Sequence, residues 1–136
     1  MIDLNDIAPD FGWRDASGEA RSLHGLRDRF RVAVLFARDE QIVTAWQKTT
    51  RERAGEFAER DMISVIVGPF APLASLRDED GSIARGFGVE GDATAFFLIG
   101  KDGTVKRAWN EVPVASALWA QIDSMPMRQR EMDGRS

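Results

Sequence analysis

Three short apolar runs punctuate the chain: Val32–Phe36, Met62–Val67 and Ala95–Ile99. Each is rich in β-branched or aromatic residues and almost free of polar interruption, the pattern of strands covered on both faces. Between the first two runs the period changes. Val43, Trp46, Thr50, Ala54 and Phe57 recur at steps of three or four, which predicts one helix over 40–60. Asp39 suits its N-cap, and Glu40 lies in its first turn. The second run ends in Gly68-Pro69-Phe70-Ala71-Pro72, a loop. A short helix over 79–87 would turn Ile83, Ala84 and Phe87 inward. After the third run, Lys101-Asp-Gly103 is a hairpin turn and 104–109 returns as an antiparallel edge strand. Pro113 suits an early helical position, and Val114, Leu118, Trp119 and Ile122 give a last amphipathic helix. Upstream, Phe11-Gly-Trp13 and Glu19-Ala-Arg-Ser22 flank Asp15-Ala-Ser-Gly18 as a second hairpin, and Ser22 can cap a helical turn through Leu26. Residues 125–136 read as a polar tail with little to bury. The order is hairpin, β, α, β, short α, β, β, α, an α/β protein with a mixed central sheet flanked by helices.

At 136 residues the chain makes one domain: a hairpin extension (1–31), a core (32–124) and the tail (125–136). That length buries about two-thirds of the unfolded surface, so the core needs neither disulfide nor metal. The net charge of −4 and pI of 5.0 disfavour nucleic acid and anionic membrane as partners. No apolar run is long enough for a bilayer and no leader pattern is present. Taken as written the chain is cytoplasmic; a trimmed leader would make it secreted or periplasmic. Cysteine and tyrosine are both absent, which removes thiol nucleophiles, thiolate metal sites and tyrosyl acid–base chemistry.

Ala8-Pro9-Asp10-Phe11, Asp15-Ala-Ser-Gly18, Ser22-Leu-His-Gly-Leu26 and the strand Val32–Phe36 resemble a peroxiredoxin N-terminus, and the whole order of elements matches the thioredoxin fold. In those enzymes the next segment carries the reactive thiol; here it reads Ala37-Arg38-Asp39-Glu40-Gln41-Ile42-Val43-Thr44. A second resemblance is sharper. Arg31-Val-Ala-Val-Leu-Phe-Ala37, Ala58-Glu-Arg-Asp-Met62, Leu98-Ile-Gly-Lys-Asp-Gly103 and Ile122-Asp-Ser-Met-Pro-Met-Arg-Gln-Arg-Glu-Met132 are similar to a thioredoxin-like family of unknown function, the P-DUDES grouping, through its bacterial members. The string Met125–Met132 is the most specific part. This resemblance implies the fold and leaves the chemistry open.

Thiol enzymes of this fold use a helix N-terminus to lower the thiol pKa. Asp39 and Glu40 at that position satisfy the free N–H groups and repel another anion. A cis-proline or arginine faces the thiol in such enzymes; the matching position here is Thr94. The loops at the carboxyl ends of the parallel strands converge, so the candidate binding residues are Arg38, Asp39, Glu40, Gln41, Phe70 and Thr94. Arg38 can hold a carboxylate or phosphate with Phe70 as an apolar wall, unless Asp39 pairs with Arg38 and closes the site. No catalytic residue and no metal ligand set is identified, and no cofactor is called for. Gly86-Phe-Gly88-Val-Glu-Gly91 matches GxGxxG but follows a helix and precedes a strand, which reads as a helix C-terminal turn. Asp78-Glu-Asp-Gly81 reads as a helix-starting turn, since it lacks the alternating ligands of a calcium loop. His24, the single histidine, has no partner at ligand spacing. Arg27, Arg29 and Arg31, and then Arg128 and Arg130 beside Glu131, read as solvated mixed-charge faces. Trp13 and Trp109 are the aromatics nearest to partial exposure by position, with core packing the favoured reading for each. The reading is a redox-inactive thioredoxin-like binding or accessory protein of unknown ligand. One alternative is a peroxiredoxin-like oxidoreductase working with a partner's thiol or a borrowed cofactor, and the other is a thiol-free enzyme with an unlocated site. The partner is an unidentified protein or small molecule, and a homodimer is compatible with the pattern.

Overall fold

The computed structural model describes residues 1–134. A two-stranded antiparallel hairpin, β1 (Gly12–Arg14) and β2 (Ala20–Ser22), precedes the central sheet. Its turn is tied by Asp15, whose carboxylate accepts from the Ser17 hydroxyl at 2.6 Å and from the Ser17 and Glu19 amides. The bonds from Ser17 first, and then Arg21, hold that carboxyl at about 2. The central sheet contains β3 (Arg31–Phe36), β4 (Met62–Val67), β5 (Ala95–Ile99) and β6 (Val105–Trp109) in the order β4-β3-β5-β6. β3 and β4 are parallel, and the other two neighbours are antiparallel. The three apolar runs of the sequence are β3, β4 and β5; every residue of the inner strands β3 and β5 is buried, whereas β4 lies at the sheet edge with Ile63 and Ser64 half-buried.

Alternating residues of the strands send aromatic rings to opposite faces. On one face Phe96 meets Trp46 and Trp109, Trp46 meets Phe57, and Phe57 meets Trp119, all edge-on at 5.0–5.9 Å between centroids. That face is covered by α1 (Glu40–Glu52), α2 (Ala54–Glu59) and α4 (Ala115–Asp123). On the other face Phe36 and Phe97 pack on Phe87, and Phe87 on Phe11. Among the described residues its α-helical cover is the five-residue α3 (Ser82–Gly86), too short to span it. The N-terminal extension completes the layer with buried Ala8, Phe11, Trp13, Leu23 and Leu26. Trp13 is thus a core residue, while Trp109 on the edge strand is half-buried.

The predicted single helix over 40–60 is two. The chain leaves helical geometry at Arg53 (φ −115°, ψ 25°), so Val43, Trp46 and Phe57 are buried while Ala54 is exposed. Pro113 precedes α4 without entering it, and Val114 is an extended N-cap, 69% exposed; Leu118, Trp119 and Ile122 carry the inward face.

The largest departure is at the C-terminus. Residues 126–133 form a docked helix, α5 (Pro126–Asp133), where a polar tail was expected; the tail's last two residues, 135 and 136, lie outside the described ones. Arg128 and Arg31, expected on solvated faces, are each 1% exposed. Arg31 opens β3. Its two terminal nitrogens donate to the Glu131 carboxylate at 3.1 and 3.2 Å, and one also donates to the Arg60 carbonyl. Lys101 Nζ reaches Glu131 at 2.7 Å and Asp61 at 2.8 Å. Arg128 and Arg60 both donate to Asp123, and Arg128 also to Glu59. The docking force is therefore ionic, which an apolar-periodicity reading does not register.

Burial pushes the Glu131 carboxyl up, and hydrogen bonds from Arg31 and Lys101 more than reverse this, leaving it below its ordinary value. A lowered carboxyl stabilises the fold fully above the unfolded-state value near 4 and loses that contribution as pH falls through the folded value. Glu131→Gln leaves Arg31 charged and buried, so it should cost about 3 kcal/mol at pH 7, or about 10 °C in Tm. Its stability should also change less between pH 7 and pH 3 than the wild type's. A melting temperature unchanged by the substitution would show that α5 is not held by this pair.

Candidate functional site

β3 and β4 run parallel, so their carboxyl ends open on the same side as the start of β5 and the end of β6. Arg38, Asp39, Glu40 and Gln41 lie here at the mouth of α1, all exposed. Asp39 is the N-cap: its Oδ1 accepts from the Gln41 amide at 2.8 Å and the Ile42 amide at 3.4 Å. The helix end is thus satisfied by its own chain, as its sequence implies. Asp39 does not close on Arg38. Arg38 Nε instead meets Asp92, in the loop before β5, at 3.3 Å, and Asp92 is 95% exposed. A bridge so open to water is weak.

Of the predicted residues Arg38 and Thr94 line separate concavities, and Asp39, Glu40, Gln41 and Phe70 line neither. Arg38 lines one of about 240 Å³, with Phe36, Ala37, Val67, Gly68, Ala84 and Val89 as its floor and Asp78 and Arg85 at its rim. Asp78 is occupied: its carboxylate caps α3 through the Ile83 and Ala84 amides, both at 3.0 Å. Arg85 donates to the Asp80 carbonyl through Nη1. Thr94 lies in a separate groove of about 390 Å³ beside α1, with Ile42, Trp46, Thr49, Asn110 and Val112. Phe70 is 42% exposed and lines neither, so the apolar wall beside Arg38 comes from the strand ends and α3 instead. Arg85, Asp92 and Asp78 were not singled out as ligand-facing. Nothing in their spacing announces that the long connection 68–94 folds back over Arg38.

Two loops meet tightly behind this cavity. The Ala37 amide donates to the Val67 carbonyl, and the Gly68 amide to the Leu76 carbonyl. Gly68 has φ +142°, and a Cβ there would overlap the Ala37 carbonyl oxygen. The GxGxxG segment is, as expected, a helix exit and not a phosphate loop: Gly88 (φ +69°) follows α3 and packs against the backbone of Met1. His24 bonds the Ala8 carbonyl at 2.9 Å and serves the N-terminal segment. Among the described residues no three His, Asp or Glu side chains cluster as a cation site, and no helix is long and apolar enough to cross a membrane.

A mixed four-stranded sheet with helices on both faces and an N-terminal hairpin defines a thioredoxin-like fold with a peroxiredoxin-like extension, in a chain devoid of cysteine. More particularly, residues 22–131 match the family described as domain of unknown function DUF4174, and the chain belongs to it. No curated protein matches the chain. Solved structures do. The peroxidoxin BcpB of Mycobacterium tuberculosis superposes with a TM-score of 0.72 at 20% identity, covering 92% of this chain and 99% of that one. The reduced 2-Cys peroxiredoxin of Plasmodium vivax gives 0.73 at 15% identity, covering 93% and 98%. A thiol:disulfide interchange protein described as a DsbE from Chlorobium tepidum gives 0.67 at 22%, covering 90% and 96%. At these identities the likeness concerns the fold.

The loop contact behind the cavity has a direct test. Gly68→Ala combines a left-handed backbone with a carbonyl overlap and should cost about 3 kcal/mol in denaturant unfolding. Gly91→Ala, where φ is +49° but nothing lies within 4 Å, should cost only about 1 kcal/mol. Equal costs would mean the two loops do not touch as described.

Proposed function

We propose that the protein is a redox-inactive thioredoxin-fold binding module that holds a small carboxylate or phosphate in the cavity beside Arg38. The observation that carries this reading is the freedom of the Arg38 guanidinium. Asp39 is committed to the helix cap, so the counter-ion of Arg38 is Asp92, almost fully solvated and easily displaced. Arg85 lines the same cavity, and the one carboxylate among the lining residues, Asp78, is spent on two backbone amides. Guanidinium groups above an apolar floor suit a planar oxyanion. A partner's thiol brought to this position would face Asp39 and Glu40, which oppose the thiolate it needs. That argues against the oxidoreductase alternative.

Calorimetric titration with succinate and with inorganic phosphate tests the proposal. One of them should bind saturably, and Arg38→Ala with Arg85→Ala should weaken it about tenfold or more with Tm unchanged, both side chains being exposed. Asp92→Asn should tighten it a few-fold by removing the competing anion. Peroxide consumption above that of heat-inactivated protein, or binding indifferent to both arginines, would overturn the reading.

A further inference from the structure

The string Met125–Met132 does more than dock α5. At the opposite end of the sheet from Arg38, its first residues roof a cavity of about 280 Å³ whose other walls come from the β5–β6 turn and the start of β3. Met125, Pro126 and Met127 form an apolar side. Arg31, Lys101, Lys106 and Arg130 supply four cations, and Asp102 is the single acid in the lining. Such a concentration is unexpected in a chain of net charge −4.

The four cations are not equivalent. Arg31 and Lys101, at the floor, are consumed by Glu131, with Asp61 as a further partner of Lys101. Among the described residues the half-buried Lys106 pairs with Asp102, at 2.7 Å, an i,i+4 pair whose carboxylate is exposed and which an added anion can compete for. Arg130 is exposed and makes no ion pair among the described residues. Gly100 keeps the wall thin: a Cβ there would lie 2.5 Å from Lys106 Cε and 3.1 Å from an Asp102 oxygen. Its φ is not in the left-handed region, so the turn itself does not demand glycine. What glycine supplies is room for the Lys106 stem to lie across the backbone and bring its ammonium to the cavity.

We propose that this cavity binds a small amphipathic anion, a carboxylate or phosphate head on a short apolar body. The head is held by Lys106 and Arg130, above floor charges already neutralised. The body lies against Met125, Pro126 and Met127, the last 37% exposed. Unbranched thioether side chains adapt to apolar shapes. The site is distinct from the Arg38 cavity and does not depend on it.

The test is calorimetric titration of the full chain with octanoate, octyl phosphate and 1-octanol, with amide and methyl NMR shifts to locate the ligand. Octanoate or octyl phosphate should bind saturably, and the tighter of the two identifies the head group. Octanol should bind at least tenfold more weakly, and shifts should centre on Gly100, Lys106 and Met127. Lys106→Gln with Arg130→Gln should lose about tenfold in affinity with Tm unchanged, since neither side chain belongs to the ionic lock on α5. Met127→Ser should weaken octanoate without affecting the fold. Saturating succinate should leave octanoate binding intact, so that failure of the Arg38 site and failure of this one are told apart. The proposal is overturned if neither anion binds, if octanol binds as tightly as octanoate, if the double variant binds undiminished, or if the shifts map elsewhere.

Discussion

The first residue of the central strand is a buried cation, and much of the architecture answers to it. An ion of this kind inside a protein is costly unless it is paired and its donors are filled. Arg31 meets both conditions, with the Glu131 carboxylate on one side and the Arg60 carbonyl on the other. Its backbone amide also donates to Asp61, a residue at φ +48° in the turn that starts β4. One side chain therefore sets the entry of β3, the entry of β4 and the position of the C-terminal helix. Lys101 adds the β5–β6 turn to the same carboxylate. Elements far apart in sequence meet at Glu131, and the parallel register of β3 and β4 begins at Arg31 opposite Met62.

A second constraint comes from the sheet itself. Two inner strands buried on both faces need two covering layers. The helices α1, α2 and α4 provide one. The segment between β4 and β5 forms only a 3₁₀ turn at Ala74–Leu76 and a five-residue α-helix, so the other layer is built around Phe87 and closed by the N-terminal extension. Ile2 donates to the Phe87 carbonyl, and Asn5 and Ala8 bond the turn and start of β6. The hairpin is thus a structural half of the core, continuous with the aromatic cluster of Phe11, Phe36, Phe87 and Phe97.

What was legible in the sequence follows from this division of labour. β4 and β5 are readable to the residue because a short apolar run, broken only by Ser64 in β4, is bounded by polar and turn residues at both ends. The N-cap at Asp39 is readable because it is a local interaction. The break at Arg53 is invisible, since the apolar period continues through it to Phe57. α5 is invisible for a deeper reason. Met125 and Met132 are seven apart, but the positions between them on that face are Arg128 and Gln129, so no apolar stripe shows; its buried residue is Arg128, whose partners Asp123 and Glu59 lie on other helices. In a sequence, a buried arginine and a solvated one look alike until the carboxylates that receive it are known. The site divides in the same way: Asp39 was readable, whereas the partner of Arg38 belongs to a loop whose path depends on the tertiary fold.

The two ends of the sheet differ in the charge left over once structural pairing is complete. At the carboxyl end the N-terminus of α1, worth about half a positive charge, is neutralised by Asp39 and faced by Glu40, so its capacity to stabilise an added anion on the helix axis is used up. Introducing a cysteine at Gln41 would not restore thiol chemistry, because the amides that lower a thiol pKa already serve Asp39. What remains for an anion there is the side-chain charge of Arg38, off the helix axis. At the amino end, by contrast, cations have accumulated around a turn and a helix, and only part of that charge is needed to hold α5 in place. Structural pairing consumes Arg31 and Lys101 and leaves Lys106 and Arg130 facing a concave, half-apolar surface. Both proposed sites therefore lie where charges exceed what the fold requires, rather than where the helix dipole points.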